Sequence, residues 1–124
     1  MTSSRLVHYM DTLENLPPAI STMFDMDEEF GEHYTDIREI IYRERPDGLS
    51  LAMKELILVL LDITVDNRGG AINHLRAAQR AGLTKTQMKE MLIECFLVLG
   101  VSAWGKVGFH LWNAWDEVEG DRDD

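Results

Sequence analysis

The chain has 124 residues, enough for one domain with a modest core, and 45% of them are hydrophobic, an ordinary globular share. Twelve lysines and arginines face 22 aspartates and glutamates, a net charge of −10, so no basic patch exists to displace the counterions of a nucleic acid. A single cysteine, Cys95, excludes an intrachain disulfide, and the longest apolar run, residues 56–61, is far short of the ~20 residues of a membrane span. The polar opening Met1-Thr2-Ser3-Ser4-Arg5 lacks the apolar stretch of a signal peptide, so a cytoplasmic protein without nucleic-acid or membrane partners is expected.

No strand-like alternation persists, and helical periodicity runs almost throughout, which predicts an all-α fold of about six or seven helices. The first covers residues 4–15 and ends before Pro17-Pro18, which suit only a helix's first turn. A short segment from Pro18 to Phe24 leads to the acidic helix start at Asp25–Glu29, which complements the helix dipole. In the next helix, Phe30, Tyr34, Ile37 and Ile41 form one apolar stripe, and Arg45-Pro46-Asp47-Gly48 stops it. The central helix, from Leu49 or Ser50 to about Val65, is apolar on nearly every side, so other helices or subunits should surround it.

After Asp66–Gly70, a helix over about 70–82 carries small residues on one face and ends at Gly82. Thr84 and Gln87 match a capping box opening a helix to Leu99, with Met88, Met91, Leu92, Cys95, Phe96 and Leu99 inward and Gly100 as its stop. In a last helix over about 102–118, Trp104, Val107, Leu111 and Trp115 form a stripe. Its Gly105 and Gly108 each lower helix propensity by about 1 kcal/mol, for which close packing is the expected compensation. Acidic clusters at Asp25–Glu32 and Asp116–Asp124 read as solvated surface.

The chemistry concentrates in two residues. Glu55 opens a run whose next six residues are all aliphatic, and a buried carboxylate is costly unless it is partnered or protonated. His74 opens the alanine-rich segment to Gly82, so an acid and an imidazole on adjacent buried helices could move a proton. Other readings stay open: Glu55 as a structural carboxylate, His74 as a satisfied core histidine. Asp62 and Asp66 share the helix side of Glu55, facing solvent or a polar channel. His110 sits among aromatic residues as a pocket or core group, while His8 and His33 read as surface. Spacing supports no metal site, and Cys95 reads as a buried structural thiol.

Lys54-Glu55-Leu56, the pattern His74-x-x-x-Ala78-x-x-x-Gly82-x-Thr84, Met88-Lys89-Glu90 and Leu99-Gly100 together resemble the carboxymuconolactone decarboxylase family, which includes the alkylhydroperoxidase D branch. The resemblance spans about residues 47–115, and residues 1–45 carry no recognisable part of it. It implies a single alkylhydroperoxidase D-like helical domain over 1–124: an N-terminal helical extension (1–46), a family core (47–118) and an acidic tail (119–124). It also implies a homotrimer or homohexamer. The peroxidase branch places two cysteines where this chain has Asn67 and Gly70, so the resemblance points to the cysteine-free decarboxylases. Those enzymes release carbon dioxide from a carboxylated lactone without metal or organic cofactor. On that reading His74 donates a proton and Glu55 orients it. Arg68 (or Arg76) holds a substrate carboxylate, with Trp104 and His110 beside the ring. The alternatives are a non-catalytic oligomeric binding or scaffold protein, and a small-ring isomerase or hydrolase using the same relay.

Overall fold

The structure, a computed structural model, describes residues 1–123, with side chains to Glu117. The described residues hold no strand: α1 (Ser3–Leu13), α2 (Pro18–Met26), α3 (Glu28–Tyr42), α4 (Leu51–Thr64), α5 (Arg68–Arg80), α6 (Lys85–Ala103), a π-helical turn (Trp104–Gly108) and α7 (Phe109–Asp123) follow one another. The all-α expectation holds. The chain packs as two compact units, Met1–Gly48 and Leu49–Asp124, divided at the Arg45–Gly48 break. The backbone of the expected tail continues α7 to Asp123, whereas Asp124 and the side chains of residues 118–124 lie outside the described residues.

In the first unit, α1 and α2 pack on α3. Asp27 caps α3, with Glu28 and Glu29 in its first turn, as the dipole favours. The buried face of α3, however, is Gly31, Thr35 and Arg38, and the expected stripe residues Phe30, Ile37 and Ile41 are exposed. Polar complementarity overrides the hydrophobic pattern here. Tyr9 Oη and Thr35 Oγ1 lie 2.6 Å apart, and the Phe24 ring fills the space that a side chain at Gly31 would need. Arg38, only 7% exposed, donates from Nε to His8 Nε2 at 3.3 Å and from Nη2 to Thr12 Oγ1 at 3.1 Å. Its guanidinium lies over the rings of Tyr9 and Tyr42. His8 is therefore a half-buried acceptor, not the surface residue the sequence suggested.

In the second unit, Ser50 caps α4, whose buried stripe is Glu55, Val59 and Ile63. Leu51, Met53, Ile57 and Leu61 on its other sides are exposed in the single chain. The end of α5 is a Schellman turn: Gly82 N–H donates to the Gln79 carbonyl and Leu83 N–H to that of Ala78, with Gly82 at φ 100°. The Thr84–Gln87 capping box opens α6 as expected. Met88, Met91, Leu92 and Cys95 of α6 enter the core with Val107, Leu111 and Trp115, but Phe96 is half exposed. Gly100, at φ 79° and ψ −173°, breaks α6 in a conformation open essentially to glycine alone. Gly108 lies under the Trp104 ring, where a Cβ would meet the ring at 2.9 Å; Gly105 faces open space, so close packing compensates only one of the two.

Replacing Gly100 by alanine should destabilise the protein by about 1–3 kcal/mol through backbone strain alone, since nothing crowds the position. Thermal denaturation followed by circular dichroism checks this. Burial, then the adjacent Arg38, lowers the His8 pKa below its ordinary 6.5. Neutral His8 is the form that can accept the Arg38 hydrogen bond. Because the folded value is depressed, its contribution is complete above about pH 6.5 and is lost as pH falls through the folded value. The urea midpoint should fall more steeply from pH 7 to 5 in wild type than in His8→Gln.

Candidate functional site

Helices α4 and α5 form the site, joined by a tight turn in which Asp66 takes a left-handed conformation at φ 57°. Asn67 caps α5, its Oδ1 accepting from Gly70 N–H at 3.1 Å. The turn lays α5 back against α4 and brings His74 opposite Glu55. His74 Nδ1 lies 2.7 Å from Glu55 Oε2, across 19 residues of sequence. The Glu55 side chain is 1% exposed and that of His74 12%. A carboxylate at this distance accepts, so Nδ1 carries the hydrogen and Nε2 is left for other chemistry.

Nε2 faces a second carboxylate, Asp62 Oδ2, at 3.9 Å. Glu55 and Asp62 are two helical turns apart on α4, about 10 Å, a span that the imidazole and its two contacts fill. Burial raises the Asp62 pKa against the opposing pull of His74 and of the Asn67 hydrogen bond. Among the described residues, three or more potential ligands nowhere converge on a metal position.

The other sequence candidates fall nearby in the same unit. Arg68, exposed at the start of α5, lies 3.0 Å from His110 Nε2 on α7; because arginine only donates, that nitrogen accepts. The His110 ring stacks at a tilt on Phe109, 4.0 Å between centroids. Lys106 of the π-helical turn pairs with Asp66 at 3.4 Å. Trp104 borders an open apolar hollow of about 240 Å³ with Leu92, Ile93 and Phe96. It also borders a crevice of about 10 Å³, room for one water, with Ile63, Cys95 and Gly108. Neither hollow is lined by Glu55 or His74. The structure thus brings together Glu55 with His74 and Arg68 with His110, and sets Trp104 at a separate apolar surface. Burial raises the Cys95 thiol pKa, and Met91 Sδ is 3.4 Å away, an environment for an inert thiol.

Sequence reasoning placed Asp62 on the right side of α4 but missed its contact with His74. No sequence signal marks that contact; only the structure shows why position 70 is glycine, since a Cβ there would meet Asp62 Oδ2 at 2.7 Å and Asn67 Nδ2 at 2.5 Å. Buried Arg38 was also missed, since nothing in an acidic, amphipathic helix marks one arginine as interior.

No curated protein matches the chain. A crystal structure from Burkholderia xenovorans LB400, provisionally named a carboxymuconolactone decarboxylase, superposes with a TM-score of 0.88 at 32% sequence identity. The alignment covers 97% of this chain and 92% of that one. The model of the Carboxymuconolactone decarboxylase family matches residues 28–107. That match starts with α3, so the family likeness reaches further toward the N-terminus than the motifs alone indicated. The chain belongs to the carboxymuconolactone decarboxylase family.

Proposed function

We propose that the protein is a cofactor-independent decarboxylase of the cysteine-free branch, acting on a small carboxylated lactone or related ring. The observation that carries this reading is the 2.7 Å contact between His74 Nδ1 and the buried Glu55 carboxylate. Asn67 and Gly70 stand where the peroxidase branch has its thiols, and the buried Cys95 offers no substitute.

In the proposed reaction the bond between a ring carbon and the carboxylate breaks and carbon dioxide leaves. The electron pair delocalises into the lactone carbonyl as a dienolate. The carbonyl is itself the electron sink, so the step asks for no metal or organic cofactor. The His74 imidazolium then gives its Nε2 proton to carbon, forming the C–H bond and leaving a neutral ring held by Glu55 through Nδ1. Arg68, with His110 as its acceptor, is the cation offered to a second substrate carboxylate, and Trp104 offers an apolar wall. A cytoplasmic location fits such a catabolic role.

We further propose that the active form is a homotrimer or homohexamer built on the apolar surfaces of α4 and α6. Leu97 is 84% and Val98 80% exposed in the single chain, with Ile93, Val101 and Leu61 also bare. An apolar face of that extent marks an association surface. The rival reading is a non-catalytic oligomeric scaffold, favoured by one observation: the described hollows are not lined by His74.

Carbon dioxide release from a panel of carboxylated lactones separates the two. His74→Gln keeps a donor for Glu55, whereas His74→Ala takes the Nδ1 donor away from a buried carboxylate, so glutamine is the cleaner test. Turnover should fall about 10²–10⁴-fold in His74→Gln, with helicity and assembly retained. A wild type that releases no carbon dioxide from any member refutes the decarboxylase reading. Leu97→Asp combined with Val98→Asp should give monomers by light scattering; an unchanged mass rules out this surface.

A further inference from the structure

The Nε2 side of His74 is where the proposed reaction places its proton, and three residues outside the Glu55–His74 pair shape that side. Asp62 Oδ2 stands 3.9 Å from Nε2, too far for a direct hydrogen bond. It is close enough for one shared atom: an oxygen about 2.8 Å from both would subtend about a right angle, an ordinary geometry for a bridging water or substrate oxygen. The other Asp62 oxygen is held, since Asn67 Nδ2 donates to Oδ1 at 3.4 Å while the Asn67 backbone N–H donates to the Asp62 carbonyl at 2.9 Å. Gly70 supplies the room. A side chain there would strike both the carboxylate and its asparagine clamp.

The two positions that depart from the thiol pattern are therefore the two that build the carboxylate. Asn67 clamps it and Gly70 admits it. We propose that Asp62 is a positioning residue for proton transfer: its carboxylate favours the imidazolium form of His74 and returns a proton to Nε2 through one bridging water after each turnover. Balance is simple. With His74 neutral after turnover, the Asp62 carboxylate takes a proton from solvent along its open edge; the carboxyl then gives it to the water as the water gives one to Nε2, which restores the carboxylate beside the imidazolium. The Asp62 side chain is 20% exposed, wet enough for that exchange and dry enough for its charge to act strongly on the ring. Among the described residues, the carboxylates within 4 Å of the imidazole nitrogens are Glu55 and Asp62, both from α4. The next acid along, Asp66, is paired with Lys106.

This inference rests on His74 as the proton carrier, but its test does not need turnover. Titration of the His74 ring nitrogens by NMR in the full-length protein reads the coupling directly. Asp62→Asn, which preserves shape and removes charge, should lower the His74 pKa by about 1 unit or more while leaving Nδ1 as the protonated nitrogen. Gly70→Ala, which displaces the carboxylate without deleting it, should shift the value in the same direction and decides the matter alone should Asp62→Asn fail to fold. An unshifted His74 in either folded variant overturns the proposal. Glu55→Gln separates the two claims. If it moves His74 and Asp62→Asn does not, the Glu55–His74 reading survives and the role of Asp62 falls. If Asp62→Asn moves His74 while the wild type decarboxylates nothing, the coupling stands and the reaction falls.

Discussion

A carboxylate that is almost wholly buried in an aliphatic helix governs the second unit. Glu55 heads the one stripe of α4 that enters the core, one and two turns before Val59 and Ile63. Breaking a buried charged pair by removing one partner costs roughly 3–5 kcal/mol. The imidazole from α5 meets the carboxylate at 2.7 Å, a directional contact that adds to the apolar packing of α5 on α4. A pair of leucines of similar volume would serve stability as well or better, because desolvating two ionisable groups offsets most of their attraction. An acid and an imidazole where hydrocarbon would suffice support the proposed chemistry over a purely cohesive role.

The same helix pair explains why the site is asymmetric. The Nδ1 side of the ring is dry and committed, facing an acid that solvent barely reaches. The Nε2 side opens toward Asp62, Asn67 and the turn, where α5 begins and water has access. A proton-transfer group needs both properties: one nitrogen anchored so that the ring cannot swing, the other exposed to its partner. The Schellman turn at Gly82 and the capping box at Thr84 keep the far end of α5 equally well defined. The imidazole is thus carried on a helix fixed at both ends.

Much of this was legible in the sequence because the signals were local. Capping residues, glycine stops and helical period located the first six helices, though not the π-helical turn at Trp104–Gly108 that splits the expected last helix, and the conflict between Glu55 and its neighbours flagged the centre of the site. His74 stood out on its alanine-rich helix, and the family pattern weighed it against a satisfied core histidine. Tertiary choices were not legible. Phe30, Ile37 and Ile41 are spaced as a core stripe, yet α3 turns Thr35 and Arg38 inward to Tyr9, Thr12 and half-buried His8 of α1, beside the buried Leu13, Ile20 and Phe24, because hydrogen bonds between α1 and α3 satisfy those groups. Nor could spacing along α4 show that Asp62 reaches the ring, since i+7 neighbours meet only through something lying across both.

The apolar residues left bare on α4 and α6 bear on the chemistry too. A decarboxylation that leaves charge on a lactone oxygen is helped by a water-poor surrounding, where fixed dipoles and charges act more strongly than in bulk. The single chain provides one wall of such a surrounding at Trp104, Phe96 and Ile93, as an open hollow rather than an enclosed cavity. Covering the neighbouring Leu97 and Val98 by another copy would remove water from that side without any new catalytic group. Under the proposed assembly that contact would lower the dielectric at the Trp104 hollow, whereas the Glu55–His74 pair, outside the lining of that hollow, keeps the dry surroundings that α4 and α5 already give it.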